Sequence, residues 1–127
     1  MTLPLFREIV DTFGVIQQVL LDDADPALVS VLGLVFEHGT MLVEAISDDD
    51  TLGVSLNADP GNARQDVSRE SPWSLLVGGA PLWLWSLINQ QGYQDGFQMM
   101  LRKDGADVGF QVVVLAGSLK PFLVIEQ

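Results

Sequence analysis

A chain of 127 residues that is 48% hydrophobic and 18% charged has the length and composition of one folded domain, and not of a disordered acidic tail. Seventeen acidic against six basic residues leave a formal net charge of −11, which disfavours nucleic acid, whose phosphates are bound mainly through Lys and Arg. The absence of cysteine excludes disulfides, thiolate catalysis and thiolate metal sites.

In chain order, "LPLFREIVDTF" (3–13) has apolar residues at 5, 6, 9, 10 and 13 and stops at Gly14, the rhythm of a short amphipathic helix. The start "MTLPLFREIVDTFG" lacks a basic stretch followed by an apolar core and a cleavage site, so no signal peptide is read there and a cytoplasmic location is expected. The segments "VIQQVLL" (15–21), "VSVLGLVFE" (29–37), "TMLVEAIS" (40–47) and "LGVSL" (52–56) are short, rich in Val, Ile, Leu and Phe, and separated by turn-like residues. They predict four strands joined too tightly for crossover helices, and therefore an antiparallel meander. Residues 57–72, "NADPGNARQDVSRESP", read as a long surface loop.

The next stretch, "PLWLWSLINQQGYQDG", predicts a helix over 81–91, with Pro81 in its first turn and Gly92 at its end. At 100° per residue Trp83 and Trp85 would then point about 200° apart, making the helix apolar nearly all round and requiring a cover on two sides. Residues 72–94 carry no charge but contain Pro72, Gly78, Gly79, Pro81 and the amide run, so they do not form a membrane span. Two strands follow, 96–103 and 108–116, joined by an Asp104–Gly105 turn, with "FLVIE" (122–126) as a last edge strand. The expected fold is therefore a single α+β domain over 1–127. It has an antiparallel meander of six to seven strands, an N-terminal helix, and one Trp-rich helix between strands four and five. Strand 29–37 is apolar on both faces, with Leu32, Leu34 and Phe36 against Val29, Val31 and Val35, and 110–116 is similar. Such strands call for cover on both sides, which a homodimer would supply.

A meander brings the loop with Asp22, Asp23 and Asp25 to the same end of the sheet as the loop with Asp48, Asp49 and Asp50. Two readings fit this acidic pole: solvated turns, where Asp is favoured for its own sake, or a contact surface for a basic protein. The spacing is not that of a calcium loop, and no metal or other cofactor is assigned. His38, the single histidine, sits in a His-Gly turn, and Glu44 shares a strand face with Leu42 and Ile46. Gly78–Gly79 could offer backbone amides to an anion at a helix start but has no basic neighbour, and Arg102–Lys103 read as turn charges. Nucleophile-elbow, phosphate-loop and zinc-peptidase signatures are missing, so nothing argues for catalysis. Asn89, Gln91, Tyr93 and Asp95 either end the Trp-rich helix or line a small-ligand pocket beside Trp83 and Trp85.

The arrangement of Trp73, Gly78, Leu82, Trp83, Trp85, Asn89, Gln91-Gly92-Tyr93 and Asp95-Gly96, followed by "FQMMLR" and "VVVLAGSL", resembles an uncharacterised family of small bacterial proteins known as a domain of unknown function. The half "DPALVSVLGLVFEHGTMLVEAISDDDTL" is similar too, so the resemblance covers most of the chain. It implies a shared fold and a bacterial, cytoplasmic setting, and it brings no catalytic residues. The leading functional expectation is a non-enzymatic acidic module that masks a basic protein partner as immunity proteins do. The alternatives are a small-ligand or enzymatic domain with a pocket at Trp83 and Tyr93, and a structural homodimer.

Overall fold

The computed structural model describes residues 3–46, 51–57, 59, 61 and 63–125. Helix α1 spans Leu3–Thr12. Its spacing turns Phe6 and Ile9 into the core while Arg7, Glu8, Asp11 and Thr12 stay exposed, and Gly14 ends it with φ +78°, a left-handed conformation that glycine adopts freely. Nine strands follow among the described residues: β1 (Ile16–Leu21), β2 (Val31–Phe36), β3 (Gly39–Ile46), β4 (Thr51–Leu56), β5 (Gln65–Asp66), β6 (Ala80–Ile88), β7 (Gln94–Lys103), β8 (Ala106–Leu115) and β9 (Ser118–Ile125). They form two antiparallel sheets, one in the order β4-β3-β2-β1-β5 and the other in the order β6-β7-β8-β9.

This architecture corrects the α+β expectation. Among the described residues the protein is mostly antiparallel β with one short α-helix, and the Trp-rich segment is strand β6, not a helix. The second sheet is consequently a four-stranded meander, where two strands and an edge piece were expected. The physical reason lies in the alternation along β6. From Trp83 the pattern is exposed, buried, exposed through Leu84 and Trp85, a two-residue period that suits aromatic side chains on a pleated surface, and buried Pro81 falls out of step with it only because Leu82 is an extra residue in the pairing. Proline is tolerated there because β6 is an edge strand, paired among the described strands with β7 alone, so the ladder does not need its missing N–H.

The predicted loop 57–72 also holds more order than expected. Gln65 and Asp66 pair with Leu21 and Leu20 as β5, and Ala63 and Val67 are buried. Beyond β5 the crossing segment continues along β1. Val67 N–H donates to the Val19 carbonyl, Val19 N–H donates to Ser68 Oγ, Ile16 N–H donates to the Gly79 carbonyl, and Gly78 N–H donates to the Ile16 carbonyl. The outer edge of β1 is thereby hydrogen-bonded along its length by the chain's own connection between the two sheets.

The two sheets share one core. The inward residues of the first sheet, among them Val19, Leu32, Leu34, Met41 and Val43, join Phe97, Met99, Leu101, Phe110, Val112 and Val114 of the second in a single apolar cluster. Burying that many aliphatic and aromatic side chains is the main source of stability for a domain of this size. Three ring pairs tie it together: Phe6 with Phe97, Phe13 with Phe36 at 5.3 Å and 66°, and Trp73 with Phe110 at 5.5 Å. Cover on both faces, expected from the apolar strands, is only partial. Leu32, Leu34 and Phe36 are buried but Val31 and Val35 are half-buried, and on β8 the outward Gln111 and Val113 are half-buried and Leu115 is exposed.

Candidate functional site

Because β6 is a strand, Trp83 and Trp85 lie on the same face instead of on opposite sides. A bulge in which Leu82 is the extra residue sets the phase: Pro81 pairs with Leu101, Trp83 with Met100 and Trp85 with Gln98. The register carries the row onward, since Gln98 pairs with Gln111 and Gln111 with Phe122. Trp85, Gln98, Gln111 and Phe122 therefore form one line across all four strands, spanning about 14 Å at the usual strand spacing. In its centre Gln111 Nε2 donates to Gln98 Oε1 at 2.7 Å. The flanking lines are Trp83, Met100 and Gly109 on one side and Leu87, Gly96, Val113 and Lys120 on the other. This outer face carries Trp83 at 63%, Trp85 at 41%, Phe122 at 46% and Leu115 at 47% exposure, a concentration of apolar surface of the kind that marks an interaction site.

The other predicted pocket residues do not gather around the indoles. Asn89, Gln91 and Tyr93 belong to the hairpin between β6 and β7. Asn89 Oδ1 accepts from Gln91 N–H at 2.9 Å and Tyr93 N–H at 3.2 Å, while Asn89 N–H donates to the Tyr93 carbonyl. The amide run thus ends a strand by fixing a turn. Asp95 is the extra residue of a second bulge, opposite the step from Leu87 to Ile88. A cleft of about 460 Å³ does open beside Trp83, but it is lined by Phe6, Arg7, Val10 and Asp11 of α1 with Leu82 and Leu84 of β6. Gly78 and Gly79 precede a strand, and their N–H groups are spent on the carbonyls of Ile16 and Leu76, so neither is offered to an anion. Arg102 pairs with Asp107 across the hairpin, and Lys103 Nζ donates to the Ser74 carbonyl. His38 and Glu44 are exposed.

The acidic pole is partly structural. The ladders place the β1–β2 loop at the same end of the first sheet as the junction of β3 and β4, while Asp48, Asp49 and Asp50 lie outside the described residues. Asp22 accepts from Ser30 Oγ at 2.6 Å, Ser30 N–H at 2.9 Å and Val31 N–H at 3.0 Å. Asp23 accepts from Asp25 N–H, and Asp25 caps the 3-10 turn Pro26–Leu28 by accepting from Ala27 N–H. Among the described residues no group of three histidine or carboxylate side chains is placed to hold a metal ion. Burial pushes the Asp22 carboxyl up, but the Ser30 hydroxyl and the Val31 and Ser30 amides outweigh it, leaving the group below the usual 3.8. A depressed carboxyl stabilises the fold above its unfolded-state value, and that contribution is lost as pH falls through the lower folded value. Urea midpoints followed from pH 6 downward should accordingly fall less steeply in Asp22→Asn than in the unaltered chain, and Asp22→Ala should cost about 1 kcal/mol at neutral pH by leaving the loop amides without their acceptor.

Charge is unevenly divided between the two sheets. Up to Glu70 the sequence holds thirteen acidic and three basic residues, whereas from Ser71 onward it holds four and three. The first group builds α1 and the first sheet, and its described carboxylates are exposed or half-exposed; the second builds the nearly neutral sheet with the aromatic face.

An antiparallel two-sheet protein with a charge-poor aromatic face on one sheet and concentrated carboxylates on the other portion is the class these features define. The family model covering residues 5–127 shows that the chain belongs to a family of unknown function, DUF6334. No curated protein and no solved structure matches it. Among the described residues no helix is long and apolar enough to cross a membrane.

Proposed function

We propose that this protein is a non-enzymatic binding module that engages a basic protein partner through its acidic N-terminal portion, masking a cationic surface as an immunity protein does. The observation that carries this reading is the division of charge, thirteen acidic to three basic residues in the first seventy positions. A one-signed field of that kind raises the encounter rate with a cationic surface and suppresses like-charged competitors. Asp25, Glu37 and Glu44 are exposed and Asp23 is half-exposed; Asp23, Asp25 and Glu37 each accept one backbone N–H, from Asp25, Ala27 and Val15, whereas Asp22 is tied more closely to its own loop.

The test is capture of basic proteins from the native host at low salt, repeated at about 1 M, where the screening length falls to about 3 Å. Capture should drop sharply at high salt. It should also drop with Asp23→Asn, Asp25→Asn, Glu37→Gln, Glu44→Gln, Asp48→Asn, Asp49→Asn and Asp50→Asn combined. A partner held equally well in both conditions and by both proteins would sink the proposal. A second reading, a small-ligand site, is favoured by the cleft between α1 and β6; it uses Trp83 but not Asn89, Gln91, Tyr93 or Asp95.

A further inference from the structure

We infer that the outer face of the second sheet is a self-association surface, covered in solution by the same face of a second copy of this chain. The reasoning begins with the central row. Trp85, Gln98, Gln111 and Phe122 read aromatic, amide, amide, aromatic across β6, β7, β8 and β9, so the row is palindromic in side-chain type. A two-fold axis lying parallel to the strands between β7 and β8 turns each row onto itself with its ends exchanged. It sets Trp85 of one copy over Phe122 of the other, and Gln98 over Gln111. Two-fold interfaces are isologous, so a face that maps onto itself in this way is the pattern such an interface requires.

The flanking rows agree. Under the same operation Met100 falls over Gly109 of the second copy and Val113 over Gly96, beside which Leu87 of the same chain already packs, so each flanking row also turns onto itself with its ends exchanged. Leu87 falls over Lys120, whose ammonium is held to the Pro26 carbonyl at 3.3 Å and whose aliphatic stem is left to meet it. The amide pair fits as well. The hydrogen bond between Gln111 and Gln98 uses one donor and one acceptor, leaving an amide hydrogen and further acceptor capacity on each copy for the other.

Electrostatics selects this face over the rest of the surface. Two chains of charge −11 repel each other, and they can approach most cheaply where the charge is least. The outer face of the second sheet points away from the first sheet, which packs against its inner face, and its sequence segment is close to neutral. A footprint of about 14 Å across the strands by about 20 Å along them is smaller than the roughly 800 Å² per partner of a standard interface, so the dimer dissociates on dilution.

Sedimentation across a dilution series, at low and at high salt, gives the first test. The mass should rise from one copy to two with concentration, and the dimer should strengthen with added salt, because screening removes the repulsion between like-charged chains. That sign is opposite to the one expected for a basic partner, so the two interactions are separable. The second test uses the absence of cysteine in the chain. Trp85→Cys and Phe122→Cys, prepared as separate proteins and treated with a short bis-maleimide, should each remain uncoupled, because the axis keeps like positions about 14 Å apart. Their mixture should couple into a covalent dimer. A one-copy mass at every concentration would overturn the inference, and so would either single variant coupling as well as the mixture.

Discussion

Phe13→Ala is expected to lower the unfolding free energy by about 3–5 kcal/mol, among the largest effects a single substitution can have here. Phe13 follows α1 and is 1% exposed, with its ring edge against Phe36. Its room is made by Gly39, the first residue of β3: a Cβ built there would stand 2.6 Å from Phe13 Cζ and 2.7 Å from the two neighbouring ring carbons. Gly39→Ala alone should therefore cost about 1–3 kcal/mol, since neither the ring nor the strand can move without disturbing the core. Added to Phe13→Ala the same alanine should be close to neutral, as the clash no longer exists. Urea denaturation of the two single variants and the double variant reads this coupling directly, and simple additivity would show that the ring does not pack as described.

The second large effect distinguishes the tryptophans. Trp73→Ala should cost about 3–5 kcal/mol, because Trp73 is 6% exposed and packs against Phe110 at 5.5 Å with the rings tilted by 45°, joining the crossing segment to the second sheet. Trp83→Ala should change stability by no more than about 0.5 kcal/mol under dilute conditions, since most of its indole already faces solvent. The measurement is the denaturation midpoint of each variant, and comparable losses at both positions would contradict the strand assignment of β6. Had the segment been a covered helix, the order of the two effects would have been far less distinct.

That contrast also shows where the sequence was informative. Helix α1 is legible because its apolar residues recur at three and four positions and stop at a glycine. Strands β1 to β4 are legible because short Val- and Leu-rich runs alternate with Asp and Gly turns. "PLWLWSLI" is apolar at seven of its eight positions, so neither a period of 3.6 nor a period of two stands out. Pro81 and Gly92, moreover, serve a helix start and stop as readily as an edge strand and its hairpin. The decision falls to pairing with β7, a partner distant from any local window. β5 was missed for a simpler reason: two residues, Gln65 and Asp66, are too few to show any pattern.

Of the site, the charge was visible from composition, and its unequal division could have been counted. The aromatic row was not visible, since its four residues are scattered over four strands and meet only through register. One signal was present nonetheless. Gln98 and Gln111 lie at equal distances on either side of the Asp104–Gly105 turn, so a tight hairpin there must set them opposite each other. A polar residue opposite a polar residue in the apolar middles of two strands marks their outward face.

The hydrogen bonds that the crossing segment makes along β1 have a consequence for strand addition at that edge. A strand edge with free N–H and carbonyl groups is a template on which another chain can add, and growth of that kind leads to aggregates. Here the linker between the sheets occupies the template: Gly78 and Gly79 take one end of β1, Val67 and Ser68 the middle, and β5 the other end. The segment that looks most like a dispensable loop thus closes an edge to strand addition, and the stretch from Gln65 to Gly79 is the part of the chain least suited to an inserted tag or a shortened connection.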